Sequence, residues 1–424
     1  MGFRMNKVAV AVAATLGVTV AGIGTAQADE ILFPYVVTSS TVTTLVSTIN
    51  NVTALSSGSA PTKLHYRYWY KNGANAENNA ATCAEVNKSL PSSANDVVTI
   101  DVGGKIQKAN LGILFEDVKV STLPASDGKG YGNATFSLIA GLTQPVRSFL
   151  VVDNNDFTTS GGSSEAFFNT ADTLAGEAIV LEFASGAAWG YAAYNASGRY
   201  NANGFRTNFY DFSDFVETTG EVLSGQAALG VAPVVIHPRF VDGDPTKGND
   251  IVTKFFVTPI AQSTWNGSAW VPPVGGQLRG DLTAQVRLTV EDLGLGAAVV
   301  YDRDEGPVSG QVPQKVTCVG AVDYKDLLSE GARLLVPAGG WSNLVVGGGT
   351  GSTAGSANTQ EAVVIKLEYN TNTSPSLPSI GIINNAIWLR KGIRESVPTP
   401  ASGAVRIQLR TAGSDINSSV SLAD

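Results

Sequence analysis

The chain has 424 residues, of which 43% are hydrophobic and only 15% are charged, and its net charge is −8. The hydrophobic content suffices for a folded core, so wholesale disorder is disfavoured. A net-negative chain without a Lys/Arg cluster is a poor partner for nucleic acid, and two His with two Cys are a small stock for zinc, haem, thiol or triad chemistry.

The first 28 residues have the pattern of a secretory signal peptide. Arg4 and Lys7 form a positive start, an apolar run of small residues follows, and an A-x-A cleavage motif ends at Ala28. The sequence predicts cleavage before Asp29 and a secreted or cell-surface protein, with the periplasm as a further location. The alternative is a membrane anchor, which the short Gly/Thr-rich run disfavours. We expect no membrane-spanning segment after cleavage.

A period of two dominates the chain after this segment and predicts β-strands. Strands are expected at 36–38 and 42–49, and at 64–71, where Tyr side chains alternate with His, Arg, Trp and Lys. Further strands are expected at 97–102, 149–152, 178–183, 231–236, 251–257, 284–290, 297–300, 334–336, 362–369, 386–389 and 405–409. Helical signals are few, at 82–87 and 324–328. The pattern predicts an all-β fold with two β-sandwich or jelly-roll domains.

The chain left after cleavage is long for a single β-core, so two domains are expected. The segment that follows Phe215 has little strand character. We therefore predict a first β-sandwich domain at 29–215, a linker at 216–230 and a second β-sandwich domain at 231–424.

Two short stretches carry a resemblance to a known class of protein. Residues 32–35 (LFPY), followed by a strand that ends at Asn50, resemble the first strand of bacterial secreted Ig-like modules, and 145–149 (PVRSF) resemble one of their later strands. These stretches cover 24 of the 424 residues. The resemblance implies a β-module of the cell surface or periplasm, and it carries over no active site.

Cys83 and Cys318 are the two cysteines of the chain. Exported proteins mature in an oxidising environment, where such a pair can form a disulfide. We predict that they are bonded. Spacing alone does not decide between this bond and two separate buried thiols.

Acidic turns are the candidate metal sites. Calcium prefers several oxygen ligands from flexible loops, and the 242–250 loop offers Asp242, Asp244, Asn249 and Asp250. The segments 153–156 and 302–305 are weaker candidates of the same kind. None of them has EF-hand spacing, and Asp and Asn are also ordinary turn residues, so plain turns remain the alternative. No other cofactor and no catalytic residue is predicted.

Aromatic side chains are the candidate glycan contacts. Trp69 lies between Arg67 and Lys71 on one face of a predicted strand, and Trp189 and Tyr191 open an aromatic-rich stretch. If exposed, these three rings could stack on a sugar. The alternative is that they belong to the core of a sandwich whose other residues are small.

The function that these features favour is non-enzymatic. Low charge and many strands are typical of a surface-layer, filament or matrix subunit that associates with itself or with other cell-surface proteins. The opening segment 31–50 is β-branched and free of charge, and it is either donated to a neighbouring subunit or the first part of its own sandwich. Pro34 has no N–H, so pairing is expected to begin at Tyr35. The alternative function is a carbohydrate-binding module.

Overall fold

The computed structural model describes residues 30–50, 62–92, 96–106, 113–115, 142–153, 174–184, 186–196, 230–236, 251–261, 264–265, 270–271, 280–290, 298–347, 360–370 and 384–389. Most of these residues lie in antiparallel strands, and the described part contains a single α-helix. The predicted all-β class is confirmed.

The first half of the chain, 30–196, forms two five-stranded sheets. Sheet 1 contains β1 (Glu30–Thr38), β3 (Thr62–Asn72), β4 (Ala84–Ser92), β7 (Val146–Asp153) and β10 (Tyr194–Ala196) in the order β10-β1-β7-β3-β4. Sheet 2 contains β2 (Val42–Asn50), β5 (Asp96–Asp101), β6 (Ile113–Phe115), β8 (Leu174–Glu182) and β9 (Ala187–Ala192) in the order β6-β5-β2-β8-β9.

These two sheets pack face to face around one apolar core. The two layers approach closely at Gly176 of β8, where an added Cβ would lie 2.6 Å from Phe33 Cζ and 2.9 Å from Ile31 Cδ1 of β1. Glycine is required there because a side chain would occupy the space of the two large residues. The chain crosses between the sheets directly after β1, so β1 and β2 belong to opposite layers of a β-sandwich.

The second half, 230–389, also forms two main sheets. Sheet 3 contains β11 (Gly230–Ile236), β15 (Thr283–Thr289), β16 (Val300–Asp302), β17 (Pro307–Val308), β18 (Gln314–Thr317) and β20 (Gly340–Gly347). Sheet 4 contains β12 (Ile251–Ala261), β19 (Gly320–Asp323), β21 (Gln360–Asn370) and β22 (Asn384–Leu389) in the order β19-β12-β21-β22. Outside these sheets lie a hairpin of β13 (Thr264–Trp265) and β14 (Trp270–Val271), 3-10 turns at Gly73–Asn75 and Tyr324–Leu327, and helix α1 (Glu330–Leu335).

Sheet 4 is buried on both faces. Phe255 and Val257 of β12 point into the core that sheet 4 shares with sheet 3, together with Val364 of β21. The alternate residues Phe256 and Ile365 belong to the core of the first half. A strand that is covered on both sides needs apolar residues in succession, which explains the run Phe255-Phe256-Val257 in the middle of β12.

Three local predictions are wrong. Residues 334–336 end helix α1 instead of forming a strand, because Ser329 caps the helix by accepting a hydrogen bond from the Ala332 N–H. Residues 82–87 lead into strand β4 instead of a helix. Pairing of β1 begins at Glu30, ahead of Pro34, because a bulge between Phe33 and Val36 accommodates the proline. The helical signal at 324–328 is confirmed as a 3-10 turn.

Each sheet draws its strands from one half of the chain. The predicted linker at 216–230 lies, up to its last residue, outside the described residues. The predicted domain boundaries therefore stay a prediction.

The close approach at Gly176 yields a test of the packing between sheets 1 and 2. We expect Gly176→Ala to lower the free energy of unfolding by about 1–3 kcal/mol, because the new methyl group overpacks the core. Gly331→Ala is the matched control, since an added Cβ in α1 meets nothing within 4 Å. It should raise stability by up to about 1 kcal/mol through helix propensity. Urea unfolding measures both. Equal effects of the two substitutions would contradict the described packing.

Candidate functional site

The bulge in β1 forms the first contact between the two halves. Pro34 and Tyr35 lie at the register shift, so their carbonyl groups are turned out of the ladder with β7. The Thr258 hydroxyl of β12 donates to the Pro34 carbonyl at 2.6 Å. The Tyr35 ring stacks on Phe256 with a centroid distance of 3.9 Å. The bulge thus joins sheet 1 to sheet 4.

Two of the predicted glycan residues complete this contact. The Trp189 ring lies parallel to Phe256, with centroids 5.1 Å apart and an angle of 2° between the planes. Tyr191 is 7% exposed and its hydroxyl donates to the Tyr35 carbonyl. Burial raises the pKa of Tyr191. Both rings are occupied by protein neighbours, so the core alternative describes them better than a sugar platform.

Trp69 is buried as well, at 6% exposure, and it stacks on Phe149 of β7 at 5.0 Å. The basic face on which Trp69 lies is buried, because Arg67 is 9% exposed and Lys71 is 2% exposed. This corrects the interpretation of Trp69 as an exposed residue. The alternation of β3 shows which residues share a face. It does not show that a second layer covers that face, which is why a sugar-stacking role for Trp69 does not fit the structure.

The disulfide between Cys83 and Cys318 is confirmed, with the two Cα atoms 6.0 Å apart. It joins the halves across 235 positions of sequence. Closing so long a loop stabilises the folded state by at most about 5 kcal/mol in the chain-entropy model. The Cys83 N–H also donates to the Gly280 carbonyl at 2.8 Å, so backbone pairing supports the covalent link.

Residues 73–83, which we call the clip, hold the second half beside this disulfide. The Asn79 side chain donates to the Ala321 carbonyl at 2.8 Å and accepts from the Ala321 N–H at 3.1 Å. The Asn79 carbonyl accepts from the Thr317 N–H at 2.8 Å. Gly320 makes room for this amide, because an added Cβ would lie 2.6 Å from Asn79 Oδ1. The Asn79 side-chain amide therefore forms hydrogen bonds with the backbone of β19 in the way that a neighbouring strand would.

Two cations lie beneath the clip. Arg147 forms an ion pair with Glu77 at 3.0 Å and donates to Asn79 Oδ1 at 3.3 Å. Lys71 Nζ donates to the Asn78 carbonyl at 3.0 Å. Burial, and secondly the positive charge of Arg147, lower the pKa of Lys71 to about 7. Lys71 is thus a buried amine that loses its charge near neutral pH.

The acidic turns have different outcomes. The best calcium candidate, with Asp242, Asp244, Asn249 and Asp250, lies outside the described residues. In the 302–305 turn, Asp302 Oδ1 accepts from the backbone N–H groups of Asp304 and Gly306, as in an ordinary Asx turn. Within the described ranges no three His, Cys, Asp or Glu residues are grouped as a metal site would require.

An exposed apolar surface on the outer side of sheet 2 is the candidate interaction site. Ile49 of β2 and Val97 of β5 lie directly opposite each other and are 39% and 49% exposed. Leu45 and Ile179 form a second opposed pair on the same face and are half-buried. We call these four residues the apolar face. Their strand pattern was predicted, but their exposure was not, because alternation alone does not say which face meets solvent.

Comparison of the chain with known protein families, with curated proteins and with solved structures finds no match. The resemblance to secreted Ig-like modules accordingly stays a prediction. In the part of the chain that the structure describes, no helix is long and apolar enough to cross a membrane.

The buried amine of Lys71 predicts a pH dependence of stability. Its pKa is about 7 in the folded protein and about 10.4 in an unfolded chain. Between these values the unfolded state binds a proton that the folded state lacks, so stability rises with pH from about 7 to 10. We expect Lys71→Met to reduce this rise by at most about 1.4 kcal/mol per pH unit.

Urea unfolding at pH 7, 8 and 9 measures the slope. Lys315→Met is the control, because Lys315 is an exposed residue of β18 and should leave the slope unchanged. A Lys71→Met variant with the slope of the unmodified protein would show that Lys71 is charged in the folded state.

Proposed function

We propose that this chain is an exported, non-enzymatic structural protein of the cell surface or extracellular matrix whose subunits associate through β-sheet faces. The apolar face is the observation that carries this proposal. Ile49 and Val97 expose aliphatic side chains next to each other on a regular sheet. Exposed apolar surface of this kind on a folded protein marks interaction sites.

Association through faces is favoured over donation of the opening segment. β1 lies between β7 and β10, and β2 lies between β5 and β8, so both strands already have partners on each side. At the edge of sheet 1, the sequence of β4 includes Glu85, Lys88 and Pro91, residue types that oppose pairing of an edge with another chain. A face offers apolar area without competing for these backbone groups.

The neighbours of the apolar face favour a second copy of the chain as the partner. Between its two pairs lie Ser47, Thr99 and Glu177, and Glu177 is the single charged residue of that row. A surface of small, mostly uncharged side chains can meet its own copy without opposing many like charges. Such contacts between identical faces are the usual basis of symmetric dimers.

An extracellular or periplasmic location is compatible with the disulfide, since structural disulfides persist in oxidising compartments. The signal-peptide pattern of residues 1–28 supports export. With both cysteines bonded to each other, the chain has no thiol left for nucleophilic chemistry. The disulfide and the signal-peptide pattern support an exported protein.

Charge placed on the apolar face tests the proposal. We expect the secreted chain to form dimers or larger species at high concentration, and Val97→Lys and Ile49→Lys to weaken this association at least tenfold by placing like charges in the contact. Leu334→Lys is the control, because Leu334 is 76% exposed on α1, outside the apolar face. Sedimentation velocity over a range of concentrations measures all four proteins.

Two outcomes would contradict the proposal. A wild-type chain that stays monomeric at high concentration argues against self-association. Equal weakening by Leu334→Lys and Val97→Lys would place the contact elsewhere. Thermal unfolding of each variant separates loss of association from loss of fold.

A further inference from the structure

The outer face of sheet 3 carries an exposed aromatic residue that sequence reasoning did not single out. Trp341 of β20 is 43% exposed, and it lies between Val235 of β11 and Tyr301 of β16 in one row across three strands. Val235 is 40% exposed. This row belongs to the second half and is separate from the apolar face of sheet 2.

Tyr301 stacks on Trp341 from one side, and 43% of the Trp341 surface remains exposed. The centroids of Tyr301 and Trp341 are 5.4 Å apart and their planes make an angle of 17°. Rings at this distance and angle form an offset stack, because they are too near to lie side by side in one plane. Tyr301 therefore covers the indole from the β16 side. The opposite indole face is turned towards β11, where Val235 is the described neighbour in the row.

The next row on the same face is polar. Asn343 lies two residues after Trp341 on β20, and it pairs with Thr289 of β15. Both are half-buried. The amide of Asn343 and the hydroxyl of Thr289 therefore lie one strand repeat from the indole, where they can form hydrogen bonds with a ligand.

Charge near the row does not favour an ionic ligand. Arg303, Asp304 and Glu305 in the turn after β16 are exposed and carry opposite signs. A ligand attracted to one of these charges would be repelled by its neighbours. The occupant that fits is uncharged, with one flat apolar side and a polar rim.

A pyranose ring has these properties, since its C–H groups form a flat apolar face and its hydroxyls surround the edge. We propose that Trp341, held upright by Tyr301, is the stacking surface of a binding site for a neutral polysaccharide, with Asn343 and Thr289 as hydroxyl partners. The site goes beyond the structural role and does not depend on it. It would let an extracellular subunit attach to a glycan.

Sequence reasoning missed this site because it missed the strand. β20 begins at Gly340 and ends at Gly347, and the apolar pattern predicts the local strand at 334–336 instead. The tripeptide Gly339-Gly340-Trp341 is the signal that could have found it, since glycines beside an aromatic residue leave its ring accessible.

A sedimentation assay with insoluble neutral polysaccharides, cellulose and chitin, tests the site on the full secreted chain. We expect the wild-type chain to bind at least one of them, Trp341→Ala to bind at least tenfold more weakly, and Trp341→Phe to recover part of the loss. Leu334→Ala, another exposed apolar truncation, should bind as the wild type does. Val97→Lys should also keep glycan binding, which separates this site from the self-association surface.

Wild-type protein that binds neither polysaccharide would overturn the proposal, and so would Trp341→Ala protein that binds as well as the wild type. A Trp341→Ala chain that loses self-association but keeps glycan binding would assign the row to a protein contact instead. Unchanged thermal unfolding of the exposed-site variants confirms that each comparison is made between folded proteins.

Discussion

Burial of sheet 4 on both faces is the constraint on which the rest of the structure depends. Phe255 and Val257 hold it to sheet 3, while Phe256 and Ile365 hold it to the first half. Removing either neighbour would expose the apolar side chains of that face to water, at about 25 cal/mol for each Å² of apolar surface. The two halves of the chain therefore share a core even though each sheet takes its strands from one half.

The polar groups at this junction are matched as closely as the apolar ones. The bulge in β1 frees the Pro34 and Tyr35 carbonyls, and these accept from Thr258 and Tyr191. The clip supplies Asn79 to the backbone at Ala321 and carbonyl groups to Lys71. Buried polar groups cost free energy when they lack hydrogen-bond partners. These contacts supply the partners, so the burial of these polar groups does not destabilise the junction. The disulfide then fixes one end of the clip covalently. The result is one β-structure in which polar, apolar and covalent contacts all join the two halves.

Most features that depend on neighbouring residues could be predicted from the sequence, and the exposure of a side chain, which depends on distant parts of the chain, could not. Period-two patterns found most of the strands, and the even cysteine count together with the export signal pointed to the Cys83–Cys318 bond. Burial of Trp69 was out of reach, because alternation assigns residues to a face and the layer that covers the face comes from distant sequence. The prediction of a strand at Leu334 is wrong because Ser329 caps a helix there, although the segment is a short apolar run. The candidate surfaces at Val97 and Trp341 are likewise defined by what the fold leaves uncovered.

Calorimetric unfolding of the chain with its disulfide intact tests directly whether the doubly buried sheet makes the two halves one cooperative unit. The structure predicts a single transition whose calorimetric enthalpy equals the van't Hoff enthalpy. It also predicts that reduction of the disulfide lowers the midpoint of that transition without dividing it, because the shared core and not the covalent link is what couples the halves. Two separately resolved transitions in the intact protein would contradict this account.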